Sequence, residues 1–352
     1  MKMAFQSFVI LVGMLAGSAP VSAQTGTFLD KGSLQWRCSP PWIAADSQAA
    51  EPEVALKDPT VVSFQNRWHV FATHRMKSGK VDMQYLQFEK WEEAGQAKRH
   101  PIHFQEAYHC APQVFYFRPH QKWYLIFQAA SNWLHPGQTL PEHFTLAPVF
   151  STTDTIDDPR SWSPMQRMKV EGVGGIERPK WIDFWVICDE AKAHLFYTRD
   201  DGTFWRSETS IDNFPQGWNE PVLVLQDTKD ELFEASHTYK VRGTNRYLTL
   251  IEAIGKGKRY YKAWVADSLE GAWQPWLATS KNPFADAQLN VESSSPWTTS
   301  VSHGELIRSG IDERLEIDGD RLRFVFQGVD DAGYGRNAYG GIPWKIGILE
   351  QR

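Results

Sequence analysis

The sequence predicts an all-β protein, a five-bladed β-propeller. Three observations carry that reading: one strand–turn–strand theme recurs five times, sustained helical periodicity is absent, and the units run to the length of propeller blades with insertions. The first copy is Asp58-Pro-Thr-Val-Val-Ser-Phe, a turn at Asn66, then Arg67-Trp-His-Val-Phe-Ala-Thr. The second is Ala111-Pro-Gln-Val-Phe-Tyr-Phe followed by Lys122-Trp-Tyr-Leu-Ile-Phe-Gln. The third is Pro179-Lys-Trp-Ile-Asp-Phe-Trp-Val-Ile, leading through Asp189 to His194-Leu-Phe-Tyr-Thr. The fourth is Ala235-Ser-His-Thr-Tyr-Lys-Val, a turn at Gly243, and Tyr247-Leu-Thr-Leu-Ile-Glu-Ala. The fifth sets Gly304-Glu-Leu-Ile-Arg-Ser beside Arg314-Leu-Glu-Ile-Asp and Leu322-Arg-Phe-Val-Phe-Gln. Each pairs two β-rich runs across a turn of Asn, Gly, Asp or Lys. Residues 91–98 allow at most a short helical turn. An irregular β-sandwich is the competing architecture, and a fivefold repeat of one opening weighs against it. Closure is expected from chain at both ends.

Residues 1–23 have the layout of a secretory signal: Lys2, an apolar run over residues 8–16 too short to span a bilayer, and Val21-Ser22-Ala23 as a cleavage site. Residues 24–352 are then expected to form one propeller domain, exported to the periplasm or beyond, soluble and monomeric. Three cysteines are too few for a disulfide scaffold, and Cys110 and Cys188 sit in apolar contexts suited to inert thiols. A net charge of −5 with scattered basic residues excludes nucleic acid as an expected partner. No later segment is apolar enough for a membrane span. Sixteen Trp in an acidic chain hint at neutral sugars, although Trp also serves cores.

Asp58, Asp183, Glu234 and His303 lie far apart, yet each begins a β-rich run. The innermost strand of each blade lines the channel, so side chains where it begins converge at one mouth. Crowded carboxylates there would have their pKa values split, the division glycoside hydrolysis requires between an acid and a base. Each has a plainer reading. Asp58 before Pro59 could be a turn former. Asp183, inside Trp-Ile-Asp-Phe-Trp-Val-Ile, and Glu234, after Leu232-Phe233, would be costly to bury without a partner or a function. Glu252 sits in similar surroundings but on a second strand, where an ion pair to Arg259 suits it. His303 could bind a cation or a carboxylate, or be structural. Lys57 could orient an acid or a sugar hydroxyl, or turn into its blade. The glycine-rich tail at 333–341 reads as a flexible rim loop carrying Tyr334 and Tyr339, without the strand-to-helix context of a phosphate loop. No Gly-x-Ser-x-Gly or His-Glu-x-x-His occurs.

These blocks resemble glycoside hydrolase family 62, arabinofuranosidases that act on arabinoxylan. The likeness runs from about Leu34 to the C-terminus through Lys-Asp-Pro-Thr at 57–60, Ala-Pro-Gln-Val-Phe-Tyr-Phe at 111–117, Lys-Trp-Tyr-Leu at 122–125, Trp-Ile-Asp-Phe-Trp-Val-Ile-Cys-Asp at 181–189, Leu-Phe-Glu-Ala-Ser at 232–236 and Ser-His-Gly-Glu-Leu-Ile-Arg-Ser at 302–309. The resemblance implies a five-bladed propeller and inverting hydrolysis. It makes Asp58 the general base, Glu234 the general acid and Asp183 the residue that tunes the acid and helps hold the sugar. It places Lys57 and Tyr339 in the furanose pocket and gives His303 a structural calcium ion, held otherwise by water. Arabinoxylan is the expected substrate, with arabinan second. Departures are Ala129-Ala130 where a pocket aromatic is expected, a long loop over 131–145 with Trp133, and Cys110 in place of a small or basic residue. A related propeller glycosidase (a β-xylosidase or endo-arabinanase) and a non-catalytic sugar-binding propeller are the alternatives.

Overall fold

A computed structural model describes residues 27–102, 104, 108–130, 146–171 and 181–352. The expected signal segment, Trp133 and the 131–145 loop lie outside the described residues. Five mainly antiparallel sheets form the blades of a propeller. Blade I comprises Glu53–Phe64, Arg67–Met76, Val81–Phe88 and Arg99–Ile102, and blade II His109–Phe117, Lys122–Ala130, Leu146–Thr153 and Gln166–Arg167. Blade III is Trp181–Cys188, Lys192–Arg199, Thr203–Ser210 and Val222–Gln226. Blade IV is Glu234–Val241, Tyr247–Gly255, Lys258–Ala266, Gln274–Thr279 and Asn282–Pro283. In blade V, Ser302–Leu306, Arg323–Gly328 and Lys345–Gln351 are joined by Trp36–Cys38 from the other end of the chain. Trp36 stands opposite Gln351 and Cys38 opposite Leu349, so both ends of the chain close the ring.

One assignment from sequence changes. The carbonyl of Glu316 accepts from Ser309 N–H (2.8 Å), as pairing within the fifth unit expects, but the strand Glu316–Ile317 runs parallel to Lys240–Val241 of blade IV. Apolar content fixed it as a strand, but its partner depended on a crossover that local pattern does not encode. The expected turns hold: Gln65 and Asn66 both have left-handed backbones (φ 51° and 60°) and close a two-residue hairpin. Trp91–Gln96 is a short 3-10 helix. The glycine-rich tail is more ordered than its composition suggests, with a helical turn at Asp331–Gly335 capped by Asp330 and a second turn at Tyr339–Gly341.

Aromatic side chains fill the spaces between blades. Trp36, Trp218 and Trp344 are fully buried, so much of the Trp content builds the core rather than a sugar platform. Cys38, Cys110 and Cys188 are all free and buried, and burial pushes the Cys110 thiol up to about 12. Just beyond the innermost strand of blade V, Arg308 ties three blades together. Its Nε lies 2.6 Å from Glu305 Oε1, and its Nη2 donates to the carbonyls of Val61 and Val114, each at 2.8 Å. Glu305 Oε2 accepts from Thr60 Oγ1 (2.6 Å) and from Val61 N–H (3.1 Å). Removing one partner of a buried pair strands the other charge. Arg308→Met should therefore cost roughly 3–5 kcal/mol of unfolding free energy, read from urea denaturation.

Candidate active site

The innermost strands share a local irregularity that aims their side chains. Pairing with the second strand slips at Lys57/Thr60, Cys110/Gln113, Ile182/Trp185, Glu234/His237 and Ser302/Gly304. Within four of these bulges one residue takes a left-handed backbone: Asp58 (φ 50°), Ala111 (52°), Asp183 (58°) and Ala235 (52°). Such conformations are costly for residues other than glycine and persist only when neighbours hold them. In blade V the slip spans His303, and Gly304 is required beside it because a Cβ would strike Val325 O and the backbone of Phe326. Asp58, Asp183 and His303 thus occupy matching places. Glu234 sits one residue earlier, in the place Lys57 holds in blade I.

Each bulge is latched to its neighbour. The N–H of Asp58 donates to Gln327 Oε1 of blade V (2.7 Å), and that of Ala111 to Thr73 Oγ1 of blade I (2.8 Å). Asp183 N–H donates to Gln128 Oε1 of blade II (3.0 Å), and His303 N–H to Glu252 Oε2 of blade IV (2.8 Å). At the remaining junction, Ala235 N–H donates to the carboxylate of Asp183 itself, Oδ2, at 2.8 Å. The residue after Glu234 is thereby pinned to Asp183.

The three carboxyl groups have different surroundings. Asp58 is buried; Lys57 Nζ donates to its Oδ2 at 2.7 Å, and His303 Nδ1 lies 3.4 Å from its Oδ1. Burial opposes ionisation of Asp58, but Lys57 and His303 outweigh it and hold the carboxyl below its usual value. Asp183 is pushed the other way, up to about 8, by burial first and then by the charges of Glu234 and Asp58, against the pull of Ala235 N–H. Glu234 meets the Arg259 guanidinium. The sequence pairs Arg259 with Glu252, and that contact exists at 2.6 Å, yet the same Nη1 also serves Glu234. Glu252 is fully buried, accepts from Ser302 Oγ at 3.0 Å, and is raised to about 7, chiefly by burial.

Tyr339 spans the mouth. Its half-exposed ring lies 5.7 Å from Lys57 Nζ on one side and 5.7 Å from the Arg259 guanidinium carbon on the other. Lys57 therefore points into the site rather than its blade, and contacts run from Asp58 through Lys57, Tyr339 and Arg259 to Glu234. Tyr334 OH accepts from Arg259 Nε at 3.2 Å. His303 is buried, and burial lowers its pKa against the pull of Asp58; its Nδ1 faces Asp58 and Asp183, 3.9 Å from the latter. Among the described residues no group of three or more His, Cys, Asp or Glu could hold a metal ion. A hard cation wants oxygen ligands; His303 offers a nitrogen, with carboxylate oxygens of Asp58 and Asp183 3.4 and 3.9 Å from its Nδ1.

Arg259, Gln128 and Gln327 escape a reading of the sequence for site residues. Each acts across a strand or blade boundary, so only the hairpin register, such as Glu234 opposite Glu252, could point to them. Ala129 and Ala130 are buried in blade II.

The model of Glycosyl hydrolase family 62 matches residues 41–350 of the chain that builds this arrangement. Alpha-L-arabinofuranosidase C of Cellvibrio japonicus is 36% identical over 325 residues, 91% of this chain and 47% of that protein, so the chain spans about half the length of this curated relative. The catalytic domain of Coprinopsis cinerea GH62 alpha-L-arabinofuranosidase superposes with a TM-score of 0.81 at 37% identity, covering 91% of this chain and 98% of that one. A GH62 hydrolase in complex with xylotriose gives 0.80 at 33% identity, with the same coverage.

The buried neutral form of Asp183 has a consequence for stability. Its folded pKa of about 8 lies above its unfolded value, so the folded state binds the extra proton between roughly pH 4 and 8 and stability falls as pH rises through that window. Urea unfolding at pH 5 and pH 8 should show Asp183→Asn losing less stability than wild type, by up to roughly 1.4 kcal/mol per pH unit.

Proposed function

The chain belongs to glycosyl hydrolase family 62, and we propose that it is an exported α-L-arabinofuranosidase removing single arabinofuranosyl groups from arabinoxylan, with arabinan a second substrate. Export rests on Lys2, the apolar run at 8–16 and the small residues before position 24. Xylan is favoured because a family 62 hydrolase similar to this chain was solved in complex with xylotriose.

The observation that carries the mechanism is the contrast between Asp58 and its neighbours. Asp58 is kept ionised by Lys57, so it can take a proton from water. Water then attacks the anomeric carbon from the Asp58 side while the bond to the xylose oxygen breaks. Glu234 gives its proton to that oxygen, and the arabinose leaves with inverted configuration. Glu234 begins against Arg259, so the leaving oxygen must take up that carboxyl's free face. Asp183 at neutral pH keeps a proton beside both partners and fixes the backbone next to Glu234. Lys57 and Tyr339 would bind furanose hydroxyls at the mouth. His303 would hold a calcium ion, which would supply positive charge near the acids.

Arabinose release from arabinoxylan should fall by about 10²–10⁴-fold in Asp58→Asn and in Glu234→Gln, with both variants folded. NMR of the first-formed arabinose should show the β-anomer from an α-linked substrate; α-anomer first would contradict single displacement. Removing calcium with a chelator should lower Tm in wild type and leave His303→Ala unmoved by the same treatment, as followed by thermal denaturation.

A further inference from the structure

We propose that Gln128 is a positioning residue for the reaction: it holds Asp183 by backbone and carboxylate at once, and so sets where Glu234 sits. The inference rests on the function proposed above.

The latch position recurs once per blade, opposite the residue that precedes the bulge. Thr73 stands opposite Lys57, Gln128 opposite Cys110, Thr198 opposite Ile182, Glu252 opposite Glu234 and Gln327 opposite Ser302. Thr73, Gln128, Glu252 and Gln327 each accept from the bulge N–H of the next blade. Thr198 does not: its buried Oγ1 has no hydrogen-bond partner among the described residues, and Asp183 has taken over the Ala235 N–H. Asp183 is thus both latched and latch, and Gln128 is what fixes it.

The orientation of the Gln128 amide follows from its contacts. Asp183 N–H must donate, so the atom it meets at 3.0 Å is the carbonyl oxygen. The NH₂ end then faces Asp183 Oδ1 at 3.4 Å and Cys110 Sγ at 3.3 Å. Gln327 shows what the same side chain does without a second task. Its NH₂ end donates at 3.0 Å to Ser302 Oγ, which occupies the place Cys110 has in blade II. Gln128 spends its second end on a carboxylate of the site, as Thr73 does in blade I, where its hydroxyl supports Asp58. Gln128 is buried, as is Asp183. A rotation of the Asp183 carboxylate would release Ala235 N–H, and with it the start of the strand that carries Glu234.

Gln128→Glu separates the two ends. It keeps an oxygen for Asp183 N–H, so the latch and the fold survive, and removes the donor facing Oδ1. Arabinose release from an arabinoxylan oligosaccharide should show kcat reduced about ten- to a hundredfold with KM within about threefold of wild type, as expected for losing a hydrogen bond that orients a buried polar group. In the Asp183→Asn background the same substitution should cost nothing further, because residues that act through one another are not additive. A kcat within about twofold of wild type, or an equal factor lost in both backgrounds, overturns the proposal. Gln128→Met is carried through the same cycle should Gln128→Glu not fold. Full activity of Glu234→Gln would instead overturn the functional reading beneath, so the two failures are told apart.

Discussion

The site depends on a ring of hydrogen bonds that crosses every blade boundary at the mouth. Each bond runs from the backbone N–H of a bulged residue to a side chain of the preceding blade. A left-handed backbone at Asp58 or Asp183 is locally unfavourable, and the ring is what makes it persist. The same bulge that strains the strand turns its side chain to the axis. Strain and function are therefore one feature: without the bulge, strand alternation would send these carboxyls to different faces.

Bringing acids together in a buried mouth is costly, and the molecule offsets the cost unequally. Lys57 and His303 support Asp58, Arg259 is shared by Glu234 and Glu252, and Asp183 keeps its proton. One charged base, one arginine-bound carboxyl and one neutral acid sit within a single cluster. That asymmetry is what general acid–base hydrolysis needs, since identical carboxyls could not divide the two tasks. Crowding raises Asp183, the residue with the least cationic support, and the acid step requires Glu234 to carry a proton when the leaving oxygen meets it.

Much of this is legible in the chain itself. The repeated strand openings set the blade count, and Asp58, Asp183, Glu234 and His303 converge as their repeat positions require. Asp183 stands out because a carboxyl in Trp-Ile-Asp-Phe-Trp cannot be buried idly. Glu252 and Arg259 suit an ion pair, and the pair forms. What stays hidden lies between blades. Arg259 reaches Glu234 because Glu234 and Glu252 face each other across a hairpin, and Gln128 reaches Asp183 from a strand of the preceding blade. The placement of Glu316–Ile317 on blade IV is hidden for the same reason. Sequence patterns report which face a residue takes; they do not report which neighbour it meets.

The most direct test is a crystal structure of the Glu234→Gln variant with an arabinofuranosyl xylo-oligosaccharide bound. The account predicts the furanose at the mouth under Tyr339, with the substituted amide side chain against the glycosidic oxygen. An ordered water should be held by Asp58 on the opposite face of the anomeric carbon, the two side chains lying about 6.5–9.5 Å apart. A furanose seated away from the mouth, or Asp58 on the same face as the amide, would contradict it.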